Sequence, residues 1–179
     1  GNSGVGKTTL MHLLAGLLKS NSGSIKLFDK ELSQLSSHQL DRFRKNNIGI
    51  VFQRPHFVNS LTVKENLQLA QYIANKNDNN RIESILKNLN IFDKSNKKTN
   101  QLSQGEKQRA SIALAIVNSP KLILADEPTG NLDIETSNNV FEYFMKYTKK
   151  NNCAVIMATH NLELAYLASK RLELGAKRE

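Results

Sequence analysis

The sequence predicts an α/β domain with a mainly parallel sheet and a helical insertion at about residues 62–118. Three observations predict it. Short apolar runs at Ile48–Phe52, Leu122–Ala125 and Ala154–Thr159 alternate with segments of helical period. Polar residues fit for chemistry (Gln53, Asp126, Glu127, His160) stand at or just past the C-terminal ends of those runs, where open α/β sheets take ligands. After Gln53 the pattern becomes helical, broken by a polar connection at Asn75–Asn80 and a Lys/Asn-rich loop at Lys94–Asn100.

Each element has a local reason. Gly1-Asn2-Ser3-Gly4-Val5-Gly6 is too glycine-rich for a helix and reads as a tight loop. Leu10, Leu13, Leu14, Leu17 and Leu18 then share one helical face, closed by Ser20-Asn21-Ser22-Gly23. Ser24–Phe28 reads as a short strand and His38–Arg44 as a polar helix. Thr62-Val63-Lys64-Glu65 is a capping box whose helix should reach about Tyr72. Ile82, Ile85, Leu86 and Leu89 form a second helical face, and a third helix should run from the Leu102–Glu106 segment to about Asn118, before Pro120. Leu122–Ala125 reads as a buried strand, Ile134–Lys150 as a helix with Asp133 as N-cap, and Ala154–Thr159 as a further buried strand. Leu162–Ala168 reads as a helix and Arg171–Leu174 as a last short strand.

Composition bounds the function. With 179 residues the chain makes one domain, assigned to residues 1–179. No apolar run reaches the ~18 residues of a membrane span. The single cysteine, Cys153, excludes a disulfide framework and a multi-cysteine zinc site, and reads as a small core residue. A cytosolic compartment fits, and no leader is visible at Gly1. The net charge of +9 invites a nucleic-acid reading, but 18 of the 25 basic residues are dispersed lysines, and Asn occurs 21 times. That pairing reads as compositional bias with solvated charge, so no nucleic-acid partner is expected.

Gly1-x-x-x-x-Gly6-Lys7-Thr8 matches the phosphate-loop pattern in full. Glycines let successive N–H groups turn inward as an anion nest, and the following helix adds its dipole. Lys7 offers a point charge to β- and γ-phosphates, and the Thr8 hydroxyl offers a ligand for Mg²⁺. The strand ending in Asp126-Glu127 supplies the complementary acids. Asp126 can hold Mg²⁺ through its water shell, and Glu127 can orient or deprotonate an attacking water.

Leu102-Ser103-Gln104-Gly105-Glu106, followed by Lys107-Gln108-Arg109, resembles the signature loop of ATP-binding cassette (ABC) proteins. The family's other motifs stand in the family's order: the phosphate loop at Gly1–Thr8, the Q-loop at Gln53, the signature, the Asp126-Glu127 strand end, the D-loop at Asn131-Leu132-Asp133, and the switch histidine His160. The resemblance implies a P-loop NTPase fold with a helical signature subdomain, ATP and Mg²⁺ as cofactors, and an ATPase activity. Glu127, His160 and Gln53 take the catalytic places. Gly1, Asn2, Ser3, Gly4, Val5, Gly6, Lys7, Thr8 and Thr9 take the nucleotide, and Ser103, Gln104, Gly105, Glu106 and Asp133 contribute from the signature and D-loop. Thr8, Gln53 and Asp126 serve the metal. It also implies a head-to-tail homodimer, each ATP lying between one phosphate loop and the other subunit's signature, and an integral membrane permease served from the inner face of the cell membrane. The signature departs from the commonest form, Ser-Gly-Gly-Gln, at Gln104 and Glu106.

Ala125–Asp133 with Thr136, Asn47–Gln53 and Leu61–Asn66 resemble the lipoprotein-releasing and macrolide/peptide export branch. The cell-division cassette of that branch is the alternative, and a soluble cassette acting on nucleic acid or ribosomes is a second one from another class. Arg54–Leu61, with Phe57 expected to be exposed, is the expected receiver of a permease helix. The family carries upstream strands and an adenine-stacking aromatic residue before the phosphate loop. Gly1 is therefore expected to lie inside a motif, and the chain as written to bind ATP poorly.

Overall fold

The computed structural model describes residues 4–129 and 134–175. Helix α1 (Lys7–Leu14) follows the glycine loop. A small antiparallel hairpin, β1 (Lys26–Leu27) with β2 (Lys30–Glu31), stands apart from the main sheet. Next come α2 (Ser37–Asn47), β3 (Ile48–Val51), α3 (Val63–Ile73), α4 (Asn79–Asn88) and α5 (Gln104–Ile116). The chain continues as β4 (Leu122–Asp126), α6 (Ile134–Asn151), β5 (Ala154–Ala158) and α7 (Leu162–Tyr166). The main sheet has the order β3-β4-β5 with both pairings parallel. Ile48 stands beside Leu122 and Leu122 beside Ala154, so the three strands finish at one edge. The α/β expectation with a parallel sheet and inserted helices is met.

The helical segment forms for the reasons its sequence gives. The Thr62 hydroxyl accepts from the Glu65 N–H at 3.2 Å, and the Thr62 N–H donates to the Glu65 carboxylate at 2.7 Å. This capping box starts α3 at Val63. Ile82, Ile85, Leu86 and Leu89 of the α4 face are all buried. They join Val63, Leu67, Ile112, Ile116, Ile123 and Phe144 in one large core. Burying such side chains is worth roughly 1.5–3 kcal/mol each before the entropy of ordering the chain is subtracted. Gly49 allows α5 to lie close on β3. A Cβ there would stand 2.1 Å from the Ala115 carbonyl oxygen, so no other residue fits.

Five local expectations are corrected. The first helix stops at Leu14, and Leu17 and Leu18 are exposed. Gly16 breaks it by adopting φ 64°, and the Arg44 guanidinium of α2 holds the Gly16 carbonyl at 2.8 Å. The buried stripe is Met11 and Ala15 with Leu14 beside them. The strand expected at Ser24–Phe28 is reduced to Lys26–Leu27, because Phe28 and Asp29 take positive φ to turn the hairpin. β5, expected to be buried, forms one edge of the three-stranded sheet, and Ile156 is 38% exposed. Arg171–Leu174 is not a strand but coil entering a turn. Phe57 is half-buried against the large core, while Val58 beside it is exposed. Cys153 is buried as expected, and burial pushes its thiol pKa up. The Asp133 cap lies outside the described residues.

Candidate active site at the strand ends

The site is assembled where β4 and β5 end against the start of α1. Gly4 and Gly6 take φ 82° and 95°, conformations that favour glycine, and they turn the loop directly into Lys7. Gly6 is the N-cap of α1 and provides no side-chain cap. The Thr8 hydroxyl, in that first turn, donates to Asp126 Oδ2 at 2.6 Å. Asp126 is the last residue of β4 and is buried.

Glu127 follows with φ 49°, unusual for a residue with a side chain. Its N–H donates to the Ala158 carbonyl of β5 at 2.9 Å. That bond and the positive φ fix the buried carboxylate between two partners. Lys7 Nζ lies 3.3 Å from Oε1, and His160 Nδ1 lies 2.7 Å from Oε2. Both Glu127 oxygens are thus engaged, while the His160 side chain is largely exposed. A non-glycine residue held in this conformation costs on the order of 1–3 kcal/mol, which the surrounding contacts sustain. Strain of this kind concentrates at functional positions.

Five of the sequence-derived residues (Lys7, Thr8, Asp126, Glu127, His160) therefore form one connected cluster. Gly4 and Gly6 shape the loop before it, Val5 lies within that loop, and Thr9 is exposed in the first turn of α1. Gln53 stands two residues beyond β3, exposed, and bonds to none of the other described site residues. The signature is elsewhere, at the start of α5. The Ser103 hydroxyl accepts from the Glu106 N–H at 3.3 Å, and Glu106 Oε2 accepts from the Ser103 N–H at 2.7 Å. Ser103 and Gln104 are exposed, and Gly105 is half-exposed beside them. The structure does not bring Ser103, Gln104, Gly105 or Glu106 to the phosphate loop of the same chain. Gly1, Asn2, Ser3, Asn131, Leu132 and Asp133 lie outside the described residues.

A family profile described as "ABC transporter" matches residues 1–130. The chain belongs to the ABC transporter ATPase family. Two curated ABC relatives carry the name lipoprotein-releasing system ATP-binding protein LolD. The one from Rickettsia bellii is 40% identical over 177 residues, covering 97% of this chain and 78% of the relative. The one from Buchnera aphidicola is 39% identical over 164 residues, covering 90% and 72%. Among solved structures, the ATP-binding cassette MJ0796, a dimer in a post-hydrolysis state bound to ADP and Pi, superposes with a TM-score of 0.87. It is 31% identical, and the match covers 92% of this chain and 74% of that one. The P-loop NTPase fold and the ATPase activity of this ABC chain follow from these matches.

Sequence reasoning gave no structural role to Asn66, which holds the loop beyond Gln53. Asn66 is a buried amide on the α3 face. It accepts from the Val58 N–H at 2.9 Å and donates to the Val58 carbonyl at 3.2 Å, which pins the segment after Gln53. A polar residue at an apolar position of the α3 period was the available signal. The Mg²⁺ assignment is compatible with the donor set. Thr8 and Asp126 offer hydroxyl and carboxylate oxygens side by side at the start of α1, the hard ligands magnesium takes. Among the described residues, no group of three or more His, Cys, Asp or Glu could hold a metal by itself, and no helix is long and apolar enough to cross a membrane.

Proposed function

We propose that this ABC ATPase powers a separate membrane permease of the lipoprotein-releasing and macrolide/peptide export branch. It would work as a head-to-tail pair of cassettes on the inner face of the cell membrane. The observation that carries the reading is the Lys7–Glu127–His160 chain of contacts beside the Thr8–Asp126 pair, in a sequence about 40% identical to proteins named LolD. The dimeric state of the MJ0796 cassette supports the pairing.

The residues divide the work as follows. Loop N–H groups and the α1 terminus receive phosphate oxygens. Lys7, held by Glu127 in this structure, has a stronger attraction to a polyanion and turns its ammonium to the β- and γ-phosphates. Glu127 is then released to accept a proton from the attacking water. His160 donates from Nδ1 to Glu127 and would offer Nε2 to a γ-phosphate. Thr8 and Asp126 would hold Mg²⁺, with Gln53 as a ligand brought in from beyond β3. Bound with the nucleotide, that ion neutralises phosphate charge.

Glu127→Gln should lower ATP hydrolysis by at least about a hundredfold while nucleotide is still bound. Hydrolysis rates with and without the permease, beside nucleotide binding by equilibrium dialysis, test this. Unchanged hydrolysis would remove Glu127 from the mechanism. Failure of the protein to co-purify with any membrane protein would remove the permease.

A further inference from the structure

The signature of this chain carries an acid, Glu106, in the first turn of α5. Its Oε2 accepts from the Ser103 N–H at 2.7 Å, while its Oε1 faces Lys94 Nζ at 3.6 Å. The Ser103 N–H bond, partly opposed by burial and assisted by the Ser103 hydroxyl and Lys94, holds this carboxyl below its usual pKa, so it is ionised at neutral pH. An ionised carboxylate suits a helix N-terminus. It does not suit a helix N-terminus that must receive a phosphate, because the two anions repel.

Lys94 ends a short 3-10 turn, Phe92–Lys94, that is anchored rather than loose. Ile91 before it is fully buried, the Lys94 N–H donates to the Ile91 carbonyl at 3.1 Å, and the Lys97 N–H donates to the Lys94 carbonyl at 2.9 Å. The ammonium is shared between Asp93, at 2.7 Å, and Glu106. Its side chain is only 28% exposed and that of Glu106 20%, so screening by solvent is incomplete.

We propose that Lys94 is a positioning residue of the signature: its ammonium offsets the charge of Glu106, so that an acid-bearing helix start can receive the γ-phosphate of a nucleotide held by a second copy of this chain. The proposal rests on the reading of Ser103–Glu106 as a phosphate-facing element. Lys94 touches no substrate; it acts through Glu106.

The test compares the dependence of hydrolysis on MgATP concentration for the purified full-length protein and its K94Q, E106Q and K94Q/E106Q variants. K94Q should raise KM about three- to tenfold and change kcat less than about twofold, because an exposed-to-half-buried charge alters binding in ground and transition states alike. Adding K94Q to E106Q should move KM by less than about 1.5-fold, since the helix start then carries no acid to offset and Asp93 lies outside it. K94R should keep the wild-type KM, and raising salt should narrow the K94Q effect. An equal KM rise in both backgrounds, a fall in kcat at constant KM, or no change with K94Q would each overturn the role of Lys94. S103R separates the two layers. If it abolishes hydrolysis while K94Q does nothing, the signature reading stands and the Lys94 proposal fails. If S103R hydrolyses ATP normally, the signature reading itself fails.

Discussion

β4 presents Ile123 and Ala125 to one side of the sheet and Leu122 and Leu124 to the other, and all four are buried. The two sides are covered very differently. Ile123 and Ala125 meet a large core drawn from α3, α4, α5 and α6. Leu122 and Leu124 meet Met11 and Ala15 at the α1 end, with half-buried Leu14, Leu27, Ile48, Ile50 and Ala158 around them. The heavily covered side carries the signature helix, and the lightly covered side carries Lys7 and Thr8. Asp126 ends the strand between them, and Glu127 follows it. Elements with few buried contacts open at lower free energy. In this chain α1 should therefore open at lower free energy than α5.

The comparison breaks most visibly at Gly49. Its Cα lies against the α5 backbone on the heavily covered side, and a Cβ would stand 2.1 Å from the Ala115 oxygen. Neither partner is the end of a flexible side chain. Gly49→Ala should cost at least about 4 kcal/mol or prevent folding. Urea unfolding followed by circular dichroism checks this, and a loss under 1 kcal/mol would show that α5 can shift away from β3. Phe144→Ala comes next. Phe144 is 1% exposed in the large core, and its removal should cost about 3–5 kcal/mol by the same measurement.

The part legible in the sequence is the part with local causes. The Thr62–Glu65 box fixed the start of α3 because its hydrogen bonds close within four residues. Lys7 and Thr8 could be read from the phosphate-loop spacing, Asp126 and Glu127 from two acids at a strand tip downstream of it, and His160 only through the family resemblance. The losses have distant causes. Leu17 and Leu18 continue the period of α1, but Arg44 and Leu40 of α2 surround the Gly16 turn that ends the helix. Ala154–Ala158 reads the same at a sheet edge as at a centre, since only its neighbours decide. The contact between Lys94 and Glu106 joins residues twelve apart through the turn geometry of Phe92–Lys94, which no period encodes.

A smaller effect sharpens the contrast from the lightly covered side. Met11 is 5% exposed, but its cluster is small and bordered by half-buried residues that can close over a gap. Met11→Ala should cost about 2 kcal/mol, the low end for a large-to-small core change. It should also lower amide protection in α1 more than in α5, as hydrogen exchange would show. Equal loss in both helices would mean that the two sides open as one unit.

The smallest expected effect distinguishes the sides by how their helices begin. α3 and α5 start with capping boxes whose acids, Glu65 and Glu106, have pKa values held below the usual carboxylate value chiefly by the Thr62 and Ser103 N–H groups. α1 starts at Gly6 with no side-chain cap and no acid in its first turn. A carboxyl with a depressed folded-state pKa stabilises fully above its unfolded value and loses that contribution as pH falls through the folded one. As pH falls from neutral through and below the ordinary carboxylate range, amide protection in the first turns of α3 and α5 should therefore fall, and E65Q should abolish the fall in α3 while leaving that in α5. The start of α1 should show no matching change from a cap of its own. A pH-independent α3 start in the wild type would mean that the Thr62 hydroxyl alone, worth about 1 kcal/mol as an N-cap, holds that terminus.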